Sequence, residues 1–145
     1  MSITYTNELS VEDYNMLREA VGWQANNPIR VKTALDRSDF IVSAKENGKS
    51  IGMARVIQDG LQSLVMDVVV SPEYQGRGVG KAMMQQVMEY LREVSRSEEG
   101  GIFVNLMSAK GKDGFYEQFG FVSRPNELRG PGMRQLLNAT PSEAE

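Results

Sequence analysis

Between Asp67 and Lys81 the chain reads Asp-Val-Val-Val-Ser-Pro-Glu-Tyr-Gln-Gly-Arg-Gly-Val-Gly-Lys, and this order restricts the fold more than any other stretch. The apolar run 61–70 reads as a strand, and Ser71-Pro72 ends it because proline cannot donate to a ladder. Past the turn, Val79, Met83, Val87, Tyr90, Leu91 and Val94 recur at helical spacing. Gly76, Gly78 and Gly80 fill the junction, where the lack of a Cβ lets a ligand come close to the backbone. The free N–H groups of a helix start, with the positive end of its dipole, form an anion site suited to a pyrophosphate.

The flanking segments supply a sheet and its cover. Val11, Tyr14, Leu17 and Val21 follow Ser10, a natural N-cap, at near-helical spacing. Pro28 opens a second short helix that runs to Leu35. Residues 40–44 read as a strand, Asn47-Gly48 as a hairpin turn into a strand over 50–58, and Asp59-Gly60 as a turn into 61–70. These three strands form an antiparallel meander. Residues 102–107 give a further strand, 113–119 a short helix closed by Gly120, and Phe121-Val122 a strand start; 133–137 is the last apolar stretch. The expected class is α+β in α/β/α layers, a mixed and mostly antiparallel sheet flanked by helices. With no repeat and no linker, one domain is expected over 1–138 and a loose tail over 139–145.

Composition limits the chemistry. With no cysteine there is no disulfide, thiol nucleophile or Cys-based metal site, and with no histidine the commonest general base is missing. No metal is expected. A net charge of −3 without a dense Lys/Arg run argues against nucleic acid as a partner. No apolar run reaches the ~20 residues of a membrane helix, and the first residues lack a leader's basic start, so a cytoplasmic protein without a membrane partner is expected.

Known phosphate loops discriminate further. A Walker loop needs glycine where Gln75 stands and Ser or Thr where Ala82 stands; the dinucleotide fingerprint needs glycine where Lys81 stands. The pattern Gln/Arg-x-x-Gly-x-Gly/Ala does fit, through Gln75, Gly78 and Gly80. In this loop the chain resembles the GNAT superfamily of acyl-CoA-dependent N-acyltransferases. Gly114-Phe115-Tyr116-Glu117-Gln118-Phe119-Gly120-Phe121 looks like that superfamily's second signature, in the expected order. The resemblance covers about 40–122.

The resemblance implies acetyl-CoA as cosubstrate, a sheet splayed after the strand that ends at Val70, and direct attack by an amine in a ternary complex. Backbone groups of Val68, Val69 and Val70 would pair with the pantetheine arm, and the Val69 N–H would polarise the thioester carbonyl. Gln75, Gly76, Arg77, Gly78, Val79, Gly80 and Lys81 would hold the pyrophosphate, and Lys112, with Lys110 nearby, would meet the CoA phosphates. Tyr116 is the candidate acid for the departing thiolate, because a phenol near ~10 lies a little above a thiol near ~8.5. Either Asp67 or Glu73 would serve as base, through a water. Asp67 has alternative readings, as a binder of the ammonium group or a salt-bridge partner of Arg55.

On the acceptor side stand Trp23, Asp67 and Met133, with Asp59 and Asp67 as an electronegative approach for a cation. The loop is reminiscent of the bacterial and plant-plastid aralkylamine acetyltransferase-like branch, which implies a small aromatic or aliphatic amine. A peptide N-terminus or a lysine of a peptide or protein is the alternative, a homodimer stays open, and a non-catalytic acyl-CoA sensor is the reading from another class.

Overall fold

A computed structural model describes residues 2–137, which fall into two compact units, one ending at Leu106 and one starting at Met107. The first holds β1 (Thr4–Thr6), α1 (Val11–Ala20), α2 (Pro28–Asp36), β2 (Phe40–Glu46), β3 (Lys49–Gln58), β4 (Gln62–Val70), α3 (Val79–Arg96) and β5 (Phe103–Leu106). The strands form one sheet in the order β1-β2-β3-β4-β5; β1 to β4 are antiparallel and β5 runs parallel to β4. This is the mixed α+β arrangement expected. β1 extends the meander by a strand too short to show an alternating pattern.

Local signals place most boundaries. Ser10 accepts from the Asp13 amide at 3.1 Å and opens α1. Asn27 does the same for Ile29 and Arg30, with Pro28 at the first helical position. Asn47 and Gly48 turn the β2–β3 hairpin with φ of 52° and 76°. The Asp59 carboxylate accepts the amides of Leu61 and Gln62 and shapes the β3–β4 turn.

The sheet is covered on both faces. Tyr14 and Leu17 of α1 with Val31 and Leu35 of α2 pack on Met53 of β3 and Val69 of β4. Gly52, next to Met53 and therefore on the other face, sits beneath Met83 of α3. Val79, Met83, Met84, Val87 and Leu91 bury this side of α3, a stripe widened by Met84 beyond the sequence pattern. Tyr90 stacks on Phe40 at 4.7 Å.

The second unit has one regular element among its described residues, α4 (Asp113–Glu117). Phe115 meets Tyr116 and Phe119 edge-on at 5.0 and 5.5 Å, and Tyr116 meets Phe121 at 6.2 Å. The strand start expected at Phe121-Val122 does not form. No ladder partner is present for it among the described residues, and Val122 is 77% exposed. The 133–137 stretch is irregular, and the tail expected over 139–145 lies outside the described residues.

A Cβ at Gly52 would lie 3.1 Å from both Met83 Cε and the Val69 carbonyl oxygen, of which only the methionine can move. Gly52→Val is expected to destabilise the protein by about 1–3 kcal/mol in urea titration. Adding Met83→Ala should recover part of that loss, the signature of a shared contact in a double-mutant cycle.

Candidate active site

β4 changes partners halfway along. Its pairing with β5 spans Gln62 to Val65 against Phe103 to Leu106 and then stops, so 66–70 have no strand on that side among the described residues. On the other side, Met53 faces Val69 while Arg55 faces Met66. Two residues, Asp67 and Val68, therefore stand opposite Ala54 alone, which is a β-bulge. Asp67 adopts φ 54°, a left-handed conformation rare outside glycine, asparagine and aspartate.

This register decides which amides are available. The Ser71 amide donates to the Ile51 carbonyl at 2.8 Å. In antiparallel pairing, hydrogen-bonded pairs recur every second residue, so Val69 opposite Met53 is also turned into β3. The Val69 N–H expected to polarise a carbonyl is thus taken up by the ladder. On this register the Val70 N–H faces the open side, and Val68 lies in the bulge.

The glycine loop follows directly. A turn of 3-10 helix over Pro72–Tyr74 leads to Gly76 and Gly78, with φ of 79° and 83°. Gly78 caps α3 with no side-chain hydrogen bond, so the first amides of an 18-residue helix have no protein acceptor from a cap. Its first turn is Val79, Gly80 and Lys81, without a carboxylate. A lysine there opposes the dipole and a glycine weakens the helix, whereas an anion in front of the turn relieves both. The Gln75 side chain donates to the Val70 carbonyl at 2.9 Å, so it ties the loop to the strand end. Tyr74 donates to Glu46 at 2.7 Å, and the Arg77 guanidinium lies 5.0 Å from the Tyr74 ring.

Asp67 is the hub of a polar network on the other face. Its Oδ2 accepts from Tyr14 at 2.9 Å and from Arg55 Nε at 2.8 Å; its Oδ1 accepts from Arg18 Nη1 at 3.3 Å. Arg55 also donates to Ser38, and Arg18 donates to the Gln24 carbonyl while lying 5.2 Å from the Trp23 ring. The salt bridge to Arg55 is therefore present, joined by a second arginine. Burial first, and then the Asp67 charge, push the Tyr14 phenol above its usual range, so it stays a donor. Asp59 lies in the β3–β4 turn, with the five β4 residues 62–66 between that turn and Asp67, about 17 Å of extended chain. The electronegative approach expected from Asp59 and Asp67 together is not formed, because distance separates them and two arginines cover Asp67.

Glu73 is exposed beside the loop, with no hydrogen-bond partner among the described residues. In the second unit, burial raises the Tyr116 phenol above its usual range, and its hydroxyl has no partner among the described residues, whereas Tyr14, Tyr74 and Tyr90 are all engaged. Lys110 and Lys112 flank Gly111 in an exposed loop, and Met133 is 90% exposed.

The strand, loop and helix arrangement agrees with what known proteins show. Residues 36–123 match the model of the acetyltransferase (GNAT) domain. The chain belongs to the GNAT acetyltransferase family. An uncharacterized N-acetyltransferase ycf52 of Porphyra purpurea is 29% identical over 133 residues, covering 88% of this chain and 74% of the relative. Serotonin N-acetyltransferase 2, chloroplastic, of Oryza sativa is 30% identical, over 92% of this chain and 68% of its own. A probable acetyltransferase from meticillin-resistant Staphylococcus aureus superposes with a TM-score of 0.82 at 30% identity, covering 92% of this chain and 98% of that one.

In this GNAT acetyltransferase, sequence reasoning missed Tyr14, Arg18 and the Glu46–Tyr74 tie. The one signal for the first two was their spacing: four apart, they share a helix face with the apolar stripe. Tyr14→Phe is expected to cost about 1.5 kcal/mol. At ~2–4 °C per kcal/mol for a chain of this size, Tm should fall by about 3–6 °C. A folded-state value above the unfolded ~10 means that the Tyr14 contribution is complete below ~10 and fades as pH rises through the raised value. Urea titrations between neutral pH and pH ~11 should therefore show the gap between wild type and variant narrowing at the alkaline end.

Proposed function

We propose that the chain transfers an acetyl group from acetyl-CoA to the primary amine of a small molecule by direct attack in a ternary complex. The observation that carries this reading is the uncapped start of α3 beside the unpaired half of β4. An anion cradle and a free strand edge then lie end to end. That matches a molecule with a diphosphate at one end of an amide-bearing arm and a thioester at the other. The amides of Val79, Gly80 and Lys81 would take the pyrophosphate, with Gly76 and Gly78 giving close access and Arg77 and Lys81 adding charge. Val70, and Val68 in the bulge, would pair with the pantetheine. Lys110 and Lys112 would meet the outer phosphates.

Bound acetyl-CoA supplies an acyl group activated as a thioester. The chain's own part is to position the amine and to meet the charges that develop. The Val68 amide, in the bulge, is the donor assigned to the carbonyl oxygen in place of Val69. Tyr116, a phenol kept protonated by burial and with its hydroxyl unengaged, is the acid assigned to the thiolate. Glu73, rather than Asp67, is the carboxylate assigned to draw the proton from the ammonium through water. Both oxygens of Asp67 already accept from other side chains.

An unengaged phenol favours an enzyme over an acyl-CoA sensor, which has no use for an acid. Titration calorimetry should detect CoA binding, weakened at least ~10-fold in Gly78→Ala, because a Cβ in that left-handed position distorts the cradle. No heat for CoA with folded wild type would end this reading. Tyr116→Phe should lower thiol release by at least ~100-fold while acetyl-CoA affinity is kept; near-full turnover would remove Tyr116 from the mechanism.

A further inference from the structure

The polar network at the bulge carries an unbalanced charge. Arg18 and Arg55 both pair with Asp67, so two positive groups share one negative one, for a sum of +1. This surplus is not spread over open surface. The side chains are only 18%, 14% and 12% exposed for Arg18, Arg55 and Asp67. A surplus cation that has lost part of its hydration gains when an anion joins it.

The donors for such an anion are present. Arg18 uses Nε on the Gln24 carbonyl and Nη1 on Asp67; Arg55 uses Nε on Asp67 and Nη1 on Ser38. The Nη2 of each has no hydrogen bond to the described residues. Neither is sealed in, since no unpartnered side-chain nitrogen or oxygen among the described residues is buried. Each of these guanidinium nitrogens is thus within reach of solvent, in the planar donor form that suits a carboxylate. Trp23, partly exposed at 36%, lies on the Arg18 guanidinium and adds an apolar wall.

The place matters as much as the charge. Asp67 directly precedes Val68, so the surplus cation lies within a residue or two of the amide assigned to the reacting carbonyl. An acceptor with its amine at that carbonyl would bring its neighbouring substituents to Arg18 and Arg55. We infer that the acceptor is a small amine that also carries a carboxylate, an amino acid or a related aminocarboxylate, with Arg18 as its specificity-determining contact. This rests on the reading above that the chain is an acetyl-CoA-dependent amine acetyltransferase. A simple cationic amine gains nothing from a positive wall, so the arrangement selects against it.

The test compares matched amines: amino acids, the corresponding amines without the carboxylate, and the corresponding amino-acid amides, which mimic a peptide N-terminus. Each is titrated into the protein by calorimetry, with and without saturating CoA. The free amino acid is expected to bind at least ~10-fold tighter than either counterpart, as a charge-assisted fork contact implies. Arg18→Gln should bring that ratio to within about twofold, and Arg18→Lys, which keeps the charge but not the fork, should fall between. CoA titration and thermal melting verify that each variant is folded.

Equal or weaker binding of the amino acid by wild type, no detectable binding of any carboxylate-bearing member, or a ratio untouched by Arg18→Gln would each overturn the inference. Failure of the acetyltransferase reading looks different: CoA itself would not bind.

Discussion

The extra residue in β4 is the constraint from which the rest of the site follows. Because Asp67 takes a left-handed conformation, Asp67 and Val68 together face Ala54, and the ladder with β3 resumes one residue later. A left-handed aspartate costs something of the order of 1 kcal/mol, which the surroundings must offset. Here they do so with Tyr14, Arg18 and Arg55, all bonded to the same carboxylate. The bulge and the network are one device. The carboxylate fixes the kink, and the kink places Val68 beside the strand edge that β5 has left.

Around that device the helices divide the work. α1 and α2 cover one face with Tyr14, Leu17, Val31 and Leu35, and α1 also delivers Arg18 to Asp67 from its last turn. α3 covers the other face and turns its uncapped start toward the loop that leaves Val70. The first turn of α3 is locally poor, with glycine as cap, glycine inside and lysine where an acid would help. Burial of Val79, Met83, Met84, Val87 and Leu91 over an 18-residue helix can sustain such an end. Stability comes from the body of the helix, and the start keeps a glycine cap without a side-chain hydrogen bond.

Charge shows the same separation of scales. The chain carries −3 overall, yet the half-buried group at the bulge sums to +1. Net charge describes solubility and long-range attraction, whereas the sign a substrate meets is set by the few side chains that lose their water. Asp67, which in the linear sequence resembles a site for a cation, becomes in the fold the holder of two cations.

Local pattern alone determined the helices at Ser10 and Pro28, the Asn47-Gly48 hairpin and the strand-loop-helix plan from Val68 to Lys81. Caps, turn residues and apolar periods act within a few residues of themselves. β1 leaves no pattern in the sequence because three residues carry no period, and Phe121-Val122 forms no strand because two apolar residues need a neighbour to pair with and have none among the described residues. Only the tertiary structure decided which valine amide is free, because a one-residue shift of register depends on the opposing strand. It also decided the partners of Asp67, since Tyr14 and Arg18 reach it across 53 and 49 residues. Charges that distant in sequence meet only when packing brings α1 onto β4, and no rule of local spacing contains that meeting.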